Sequence, residues 1–253
     1  MLGMFDLSGK NAIVVGGAGD LGVAMLEALV EAGARAVVID VSESVHNVAT
    51  SLSAKGFSVH PVRADVSCRD QIRSSYAEAM QFLGGRLDIL VNAAGIQRRH
   101  PSESFPEKDW DDLLAVNMSA TFFYCQLAAK TMIPMGGGNI INIASIMSFC
   151  AGITISAYVA SKGGVGQLTK SLSNDWAAKG LHINAIAPGY MATKLNTALM
   201  ADPVRSADIL ERIPQKRWGT GQDLKGITVF LASSASDYVN GTIIPVDGGY
   251  LCR

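Results

Sequence analysis

Charge is scarce in this chain. Only 17% of its 253 residues are Asp, Glu, Lys or Arg, and they cancel to a formal net charge of −1. That balance excludes the basic footprint of a general nucleic-acid binder. Cysteine is sparse as well: Cys68, Cys125, Cys150 and Cys252 stand far apart and match no metal-ligand spacing. Cys125 reads as a small core residue, whereas Cys150, shortly after Ser145, is either core or the lining of a site. The opening MLGMFDLSGKN lacks the basic segment and long apolar run of a secretion signal, and no window is apolar for long enough to span a membrane. A soluble, reducing compartment is therefore expected. No repeat, low-complexity stretch or linker divides the chain, so one domain over residues 1–253 is expected. What is abundant is apolar matter, with 49% hydrophobic residues and 26 glycines. A chain of this length can bury about three quarters of its unfolded surface. So thinly charged an exterior favours self-association.

Short apolar runs alternate with helical periodicity. Residues 11–15 (NAIVV) predict a buried strand, and glycines follow at 16, 17, 19 and 22. Residues 21–32 predict a helix, and 36–39 a second strand ending at Asp40. Strand, Gly-rich turn, helix, strand and acid together form the dinucleotide-binding arrangement. Glycine lets the turn approach a pyrophosphate, and helix N–H groups face its charge. Asp40 would accept both adenosine ribose hydroxyls and repel a 2′-phosphate; a plain strand-end charge is the alternative. Arg35, just before the second strand, reads as a solvated charge.

The rhythm continues with strands at 58–63, 87–91, 139–144, 181–186 and 242–246, and helices at 45–55, 71–83, within 103–129, at 156–179 and at 222–232. Seven strands and six helices in alternation predict one α/β domain: a doubly wound Rossmann fold with a mostly parallel seven-stranded sheet and helices on both faces. Ligands in such sheets sit at the carboxyl ends of strands. The glycines of 16–22, Asp40, Asp65, residues 92–95, Ser145, Pro188 and Gly189 all follow predicted strand ends. Asp65 either bonds an adenine amino group or caps the next helix. Asn117 interrupts a helical stretch, as a functional group or as polar core packing. Residues 190–219, polar and carrying Pro203 and Pro214, break the alternation and are the candidate lid.

Tyr158 and Lys162 lie four apart, so a helix sets them on one face. A nearby ammonium favours the phenolate, and a tyrosine so tuned can act as general acid or base. Ser145, at a strand end, could reach the same point. By itself the spacing also arises by chance in many helices.

These motifs resemble, over the whole chain, the short-chain dehydrogenase/reductase superfamily. Asn117, Ser145, Tyr158 and Lys162 match its catalytic tetrad. The resemblance implies cofactor contacts from Gly16, Gly19, Leu21, Gly22, Asp40, Asp65, Val66, Asn92, Ala94, Gly95, Tyr158, Lys162, Pro188, Gly189, Met191 and Thr193, with a backbone contact at Ile186. It implies that Tyr158 moves the proton, Ser145 holds the reacting oxygen, Lys162 lowers the Tyr158 pKa and Asn117 holds a water. NAD is the expected cofactor, with NADP disfavoured by Asp40, and no metal is called for. Three positions depart from the pattern: Val15 and Asp20 in VGGAGDLG, and Ala93, where a hydrogen bond that steadies the central strand would be lost. The stretches 95–110, 143–149, 187–193 and 213–219 resemble the gluconate 5-dehydrogenase branch of that superfamily. That likeness implies a sugar-acid substrate held by Arg98, Ser145, Met147, Tyr158 and Arg217, in a cytoplasmic homotetramer without nucleic-acid or membrane partners. For the run Gln97, Arg98, Arg99 and His100, a solvated face is the alternative to a carboxylate contact. Arg217 and Trp218 could cover the pocket or sit in a subunit contact. A reductase of neutral carbonyls, polyols or ketoses and a dinucleotide-binding protein without catalysis remain the alternatives.

Overall fold

Strands as short and apolar as Asn11–Val15 are stable only when covered on both faces. The computed structural model, which describes residues 3–253, shows how this is done. Seven strands form one sheet in the order β3-β2-β1-β4-β5-β6-β7, and each pairing is parallel. They are β1 (Asn11–Val15), β2 (Arg35–Asp40), β3 (Val59–Arg63), β4 (Ile89–Asn92), β5 (Gly138–Ile143), β6 (Leu181–Pro188) and β7 (Ile243–Val246). The helices between them begin with α1 (Asp20–Glu31), α2 (Ser44–Ala54), α3 (Arg69–Phe82), α4 (Glu107–Leu114) and α5 (Ala120–Met132). After these come α6 (Ser156–Trp176), α7 (Thr197–Ala201), α8 (Pro203–Arg212) and α9 (Gln222–Ala232).

Side chains alternate across the sheet as a period of two requires. Ala12 and Val14 point with Val38 and Val91 toward α1, α2 and α9, where Met25, Leu29, Leu52 and Leu224 meet them. Ile13 and Val15 point with Val37, Ile39 and Leu90 to the other face, against Ile72 and Tyr76 of α3, Tyr124 of α5 and Leu172 of α6. The Tyr124 hydroxyl, buried there, bonds the Ser75 hydroxyl at 2.7 Å. No helix among the described residues is long and apolar enough to cross a membrane.

The stretch expected as one helix within 103–129 is two. Between α4 and α5 the chain makes a π turn, Ala115–Ser119, with the buried Asn117 at its centre. The strand order reverses between β1 and β4, which opens a crevice at the carboxyl ends of the strands.

Candidate active site

The crevice is a cavity of about 1210 Å³. Its floor is the turn after β1. Gly16 has φ +77, and a Cβ there would overlap the backbone of Ala94. A Cβ on Gly22 would overlap the Gly16 carbonyl oxygen. No side chain caps α1 at Gly19. Its first turn, Asp20, Leu21 and Gly22, lines the cavity, so the positive end of the helix faces the space.

Asp20, one of the departing residues, accepts the backbone N–H of Lys194 at 2.6 Å. Its charge sits at the favourable end of α1 and ties the Gly-rich turn to the start of the proposed lid. Asp40 accepts N–H groups from Ala18 and Ser42, both at 3.0 Å. A carboxylate has about four lone-pair sites, and Asp40 lines the cavity with the remainder. Asp65 does not cap α3, whose cap is Cys68. Its Oδ1 accepts the Ser67 N–H at 2.9 Å and the Ser67 hydroxyl at 2.7 Å, and with Val66 it lines the cavity. Ala94, Gly95, Pro188, Gly189, Met191 and Thr193 line it too. Asn92 does not. It is buried behind the wall, donating to Asn142 Oδ1 at 2.9 Å and to Cys125 Sγ at 3.3 Å, while its own Oδ1 has no partner. The Asn92–Asn142 bond and the Ala93 N–H on the Val15 carbonyl, 2.8 Å, steady β4 where Ala93 brings no side-chain hydrogen bond.

Ser145, Tyr158 and Lys162 meet on the cavity wall. Ser145 follows β5 and its Oγ accepts the Met147 N–H at 3.1 Å, which leaves its hydroxyl hydrogen free to donate. Lys162 is buried, 4% exposed, and its Nζ donates to the Ile143 carbonyl at 2.6 Å. Burial lowers the ammonium from its ordinary 10.5 to about 8. Burial raises the Tyr158 phenol; the Ser145 hydroxyl and then the Arg99 charge oppose that rise. The Lys162 Nζ stands 5.9 Å from the Tyr158 ring centre and is held by the Ile143 carbonyl, and Arg99 is a second cation acting on the phenol.

Asn117 stands behind this group. Its Oδ1 accepts the Ile96 N–H at 2.8 Å, and its Nδ2 donates to the Ile96 carbonyl and to Ser161 Oγ, each at 3.0 Å. Ser161 in turn donates to the Tyr158 carbonyl at 2.8 Å. The Asn117 amide is therefore engaged with protein groups, and its backbone carbonyl accepts the Thr121 hydroxyl at 2.9 Å. It fixes the first turn of α6 against the segment after β4.

Residues 190–219 leave and rejoin the body at one point. The Gly219 N–H donates to the Tyr190 carbonyl at 3.0 Å and the Ala192 N–H to the Gly219 carbonyl at 2.7 Å. Between these ends, Leu199, Ile209 and Ile213 pack with Ile146, Met147, Ile155 and Tyr250 in a small core of their own. Cys150 borders that core and stays out of the cavity lining, which Met147 joins. Two of the expected substrate contacts, Arg98 and Arg217, lie outside the cavity lining. Arg98 points away, donating to the Gln97 carbonyl at 3.1 Å and lying 3.9 Å from Asp109. Arg217 pairs with Asp223 through two nitrogens, at 2.8 and 2.7 Å, and pulls that carboxyl far below its usual range. Arg99 lines the cavity instead, joined by Arg205, Asp208 and Arg212 of α8. The i, i+3, i+7 spacing of those three charges was a signal in the sequence for one helix face. Among the described residues no three His, Cys, Asp or Glu side chains gather to hold a metal ion.

The site fits a dinucleotide. The turn leaves no room for a Cβ at Gly16 or Gly22, the α1 N-terminus is uncapped, and Asp40 has free acceptor positions. Lys162 is a buried three-donor ammonium with one carbonyl partner. Comparison with known proteins points the same way. Residues 10–203 match the short chain dehydrogenase family. The chain is 47% identical to the 2-dehydro-3-deoxy-D-gluconate 5-dehydrogenase of Escherichia coli (strain K12), with 100% of each chain covered. It is 41% identical to the gluconate 5-dehydrogenase of Gluconobacter oxydans (strain 621H), over 97% of this chain and 96% of that one. The crystal structure of a gluconate 5-dehydrogenase from Burkholderia cenocepacia J2315, in complex with NADP and tartrate, superposes with a TM-score of 0.95 at 41% identity, covering 99% of this chain and 98% of that one.

Proposed function

The chain belongs to the short chain dehydrogenase family, and from that membership we propose how its site works and on what. It is an NAD(P)-dependent oxidoreductase acting on the ketone or secondary alcohol of a sugar acid, with activity of the gluconate 5-dehydrogenase type. Within that class we assign gluconate or its 2-dehydro-3-deoxy relative as substrate and NAD as cofactor. The observation that carries the assignment is the meeting of Ser145, Tyr158 and the buried Lys162 on a wall whose open side carries Arg99.

The nicotinamide, when bound, gives or takes the hydride. The protein does the rest. Tyr158 gives its proton to the substrate oxygen in reduction and takes it back in oxidation. Ser145 donates its free hydroxyl hydrogen to that same oxygen, so negative charge developing there meets a donor already in place. Lys162 turns its remaining N–H donors to the ribose side of the cavity. Asn117 acts at one remove, as a positioning residue, by holding Ser161 and Ile96. Arg99 pairs with the sugar-acid carboxylate, a role that supersedes Arg98; guanidinium geometry suits a carboxylate. Tartrate, the hydroxy acid in the Burkholderia cenocepacia structure, carries carboxylates too. Residues 190–219 form the lid. Trp110, Phe149 and Tyr238, all exposed, offer apolar surface for the expected homotetramer, which sedimentation would report as a species four times the 26.6 kDa chain. A monomer would end that part of the proposal.

The test is a panel of hexonates, hexitols and ketoses with NAD⁺ and NADP⁺, and with the reduced cofactors in the reverse direction, followed by absorbance. Hexonate oxidation with NAD⁺ is expected. Turnover of neutral polyols alone would overturn the substrate. A strong preference for NADP⁺ would overturn the role of Asp40, whose replacement by Ser is expected to move the cofactor ratio toward NADP⁺ by about a hundredfold, since a like charge no longer faces the phosphate.

A further inference from the structure

Helix α8 brings a second, unpaired cation to the substrate end of the cavity. Pro203 starts this helix and Asp202 caps it, accepting the Val204 and Arg205 N–H groups at 3.0 Å each. The helix turns Ile209 into the apolar core beneath it and sets Arg205, Asp208 and Arg212 along the cavity. Arg212 is occupied: its guanidinium lies over the Tyr250 ring, 4.3 Å from the centre. Lys108, another lining cation, is occupied by Asp112 at 2.6 Å. Among the described residues neither Arg99 nor Arg205 has a carboxylate oxygen within 4.0 Å. Both stand exposed in the open cavity.

We propose that Arg205 is a specificity residue: together with Arg99 it forms a two-guanidinium clamp that closes on the carboxylate of the substrate, one half carried by the body and the other by the lid. This deepens the sugar-acid assignment above and rests on it. Two like charges across a cavity repel until an anion lies between them, and then each is attracted to it. The Arg99 guanidinium registers this environment: partial loss of water between the cavity walls and then the charge of Arg205 push it below its ordinary range, and Tyr190 and Tyr158 act the other way. Tyr158 and Tyr190 border the small core into which α8 turns Ile209, and all four of Arg99, Arg205, Tyr190 and Tyr158 line the cavity. Asp208, one helical turn from Arg205, is an acceptor for hydroxyls further along the substrate. A face of this kind matches a molecule with a carboxylate at one end and a polyol chain behind it. A neutral polyol would leave the clamp open.

The experiment compares a hexonate with a hexitol of the same length on the full-length enzyme, with saturating NAD⁺, for Arg205→Ala, Arg205→Glu, Arg205→Lys and Arg99→Ala. Arg205→Ala is expected to raise the hexonate KM about tenfold, with kcat changed by less than about twofold and hexitol kinetics unmoved. Arg205→Glu is expected to raise it about a hundredfold, and Arg205→Lys to restore most of the loss. Added salt should weaken the wild type toward hexonate and leave Arg205→Ala nearly indifferent. Trp218, stacked edge-on against Tyr190 in the lid core, gives a readout without turnover: quenching by hexonate that Arg205→Ala shifts to higher concentration. A hexonate KM unchanged in Arg205→Ala, while the wild type oxidises hexonate, overturns the clamp and leaves the sugar-acid assignment standing. A wild type that oxidises hexitol alone overturns both.

Discussion

Tyr158→Phe is expected to lower kcat in both directions by about a thousandfold, within the range usual for loss of a positioned acid or base. The unfolding midpoint should stay where it is, because the ring keeps its packing and only a phenol oxygen is lost. Burial favours the neutral phenol at this position, and Ser145 and Arg99 moderate it without reversing it. At neutral pH the group therefore holds its proton, the form that donates to a ketone. Reduction should run nearly flat through neutral pH, while oxidation, which needs the phenolate, should climb as pH rises. Steady-state rates in both directions across pH, with circular dichroism of the variant, check this. A variant with wild-type rate, or an oxidation rate that falls as pH rises, would refute the proton-transfer role.

Lys162→Met is expected to abolish most activity and yet to make the protein harder to unfold. The native ammonium is buried with one carbonyl acceptor, and its pKa falls to about 8. The unfolded lysine titrates near 10.4. Below pH 8 both states hold the proton, and the native state carries the full desolvation penalty, about 3 kcal/mol at 1.36 kcal/mol per pKa unit. Between pH 8 and about 10.4 the unfolded state binds more protons than the native one, so wild-type stability rises with pH through that window. Methionine removes the penalty and loses one hydrogen bond, worth about 1 kcal/mol. A gain of about 2 kcal/mol near pH 7, shrinking above pH 8, is therefore expected from urea unfolding of the cofactor-free protein. A variant less stable than the wild type at pH 7 would mean that the ammonium is not an uncompensated charge in the native state.

The parts of this molecule that were legible in the sequence are those whose signal is local. Buried parallel strands read as plain apolar runs, and residues 11–15 and the helix at 222–232 have the bounds expected of them. The strand-end residues followed, because a parallel sheet directs every carboxyl end to one edge. What stayed hidden depends on partners far along the chain. Arg98 and Arg99 are neighbours in an extended segment without periodicity, and only one can face the cavity. Nothing local to Arg217 shows that Asp223, at the start of α9, will hold it. The partner of Asp20 is equally remote: the fold brings the Lys194 N–H to it from 174 residues away. Helical spacing likewise places Lys162 on the face of Tyr158 but says nothing about the Ile143 carbonyl that holds its ammonium.

The π turn at Ala115–Ser119 has a mechanical consequence. Excising a single residue there would restore an unbroken α-helix, with better bonding along its own axis. The wider turn takes in its extra residue with almost no change in overall rotation, so α4 and α5 would keep nearly the same faces. Leu113 would therefore stay buried, and the loss would fall on the bulge itself, where the Asn117 amide bridges Ile96 and Ser161. A small loss of helical regularity thus lets one polar side chain stand clear of the helix and tie together two segments that meet nowhere else along it.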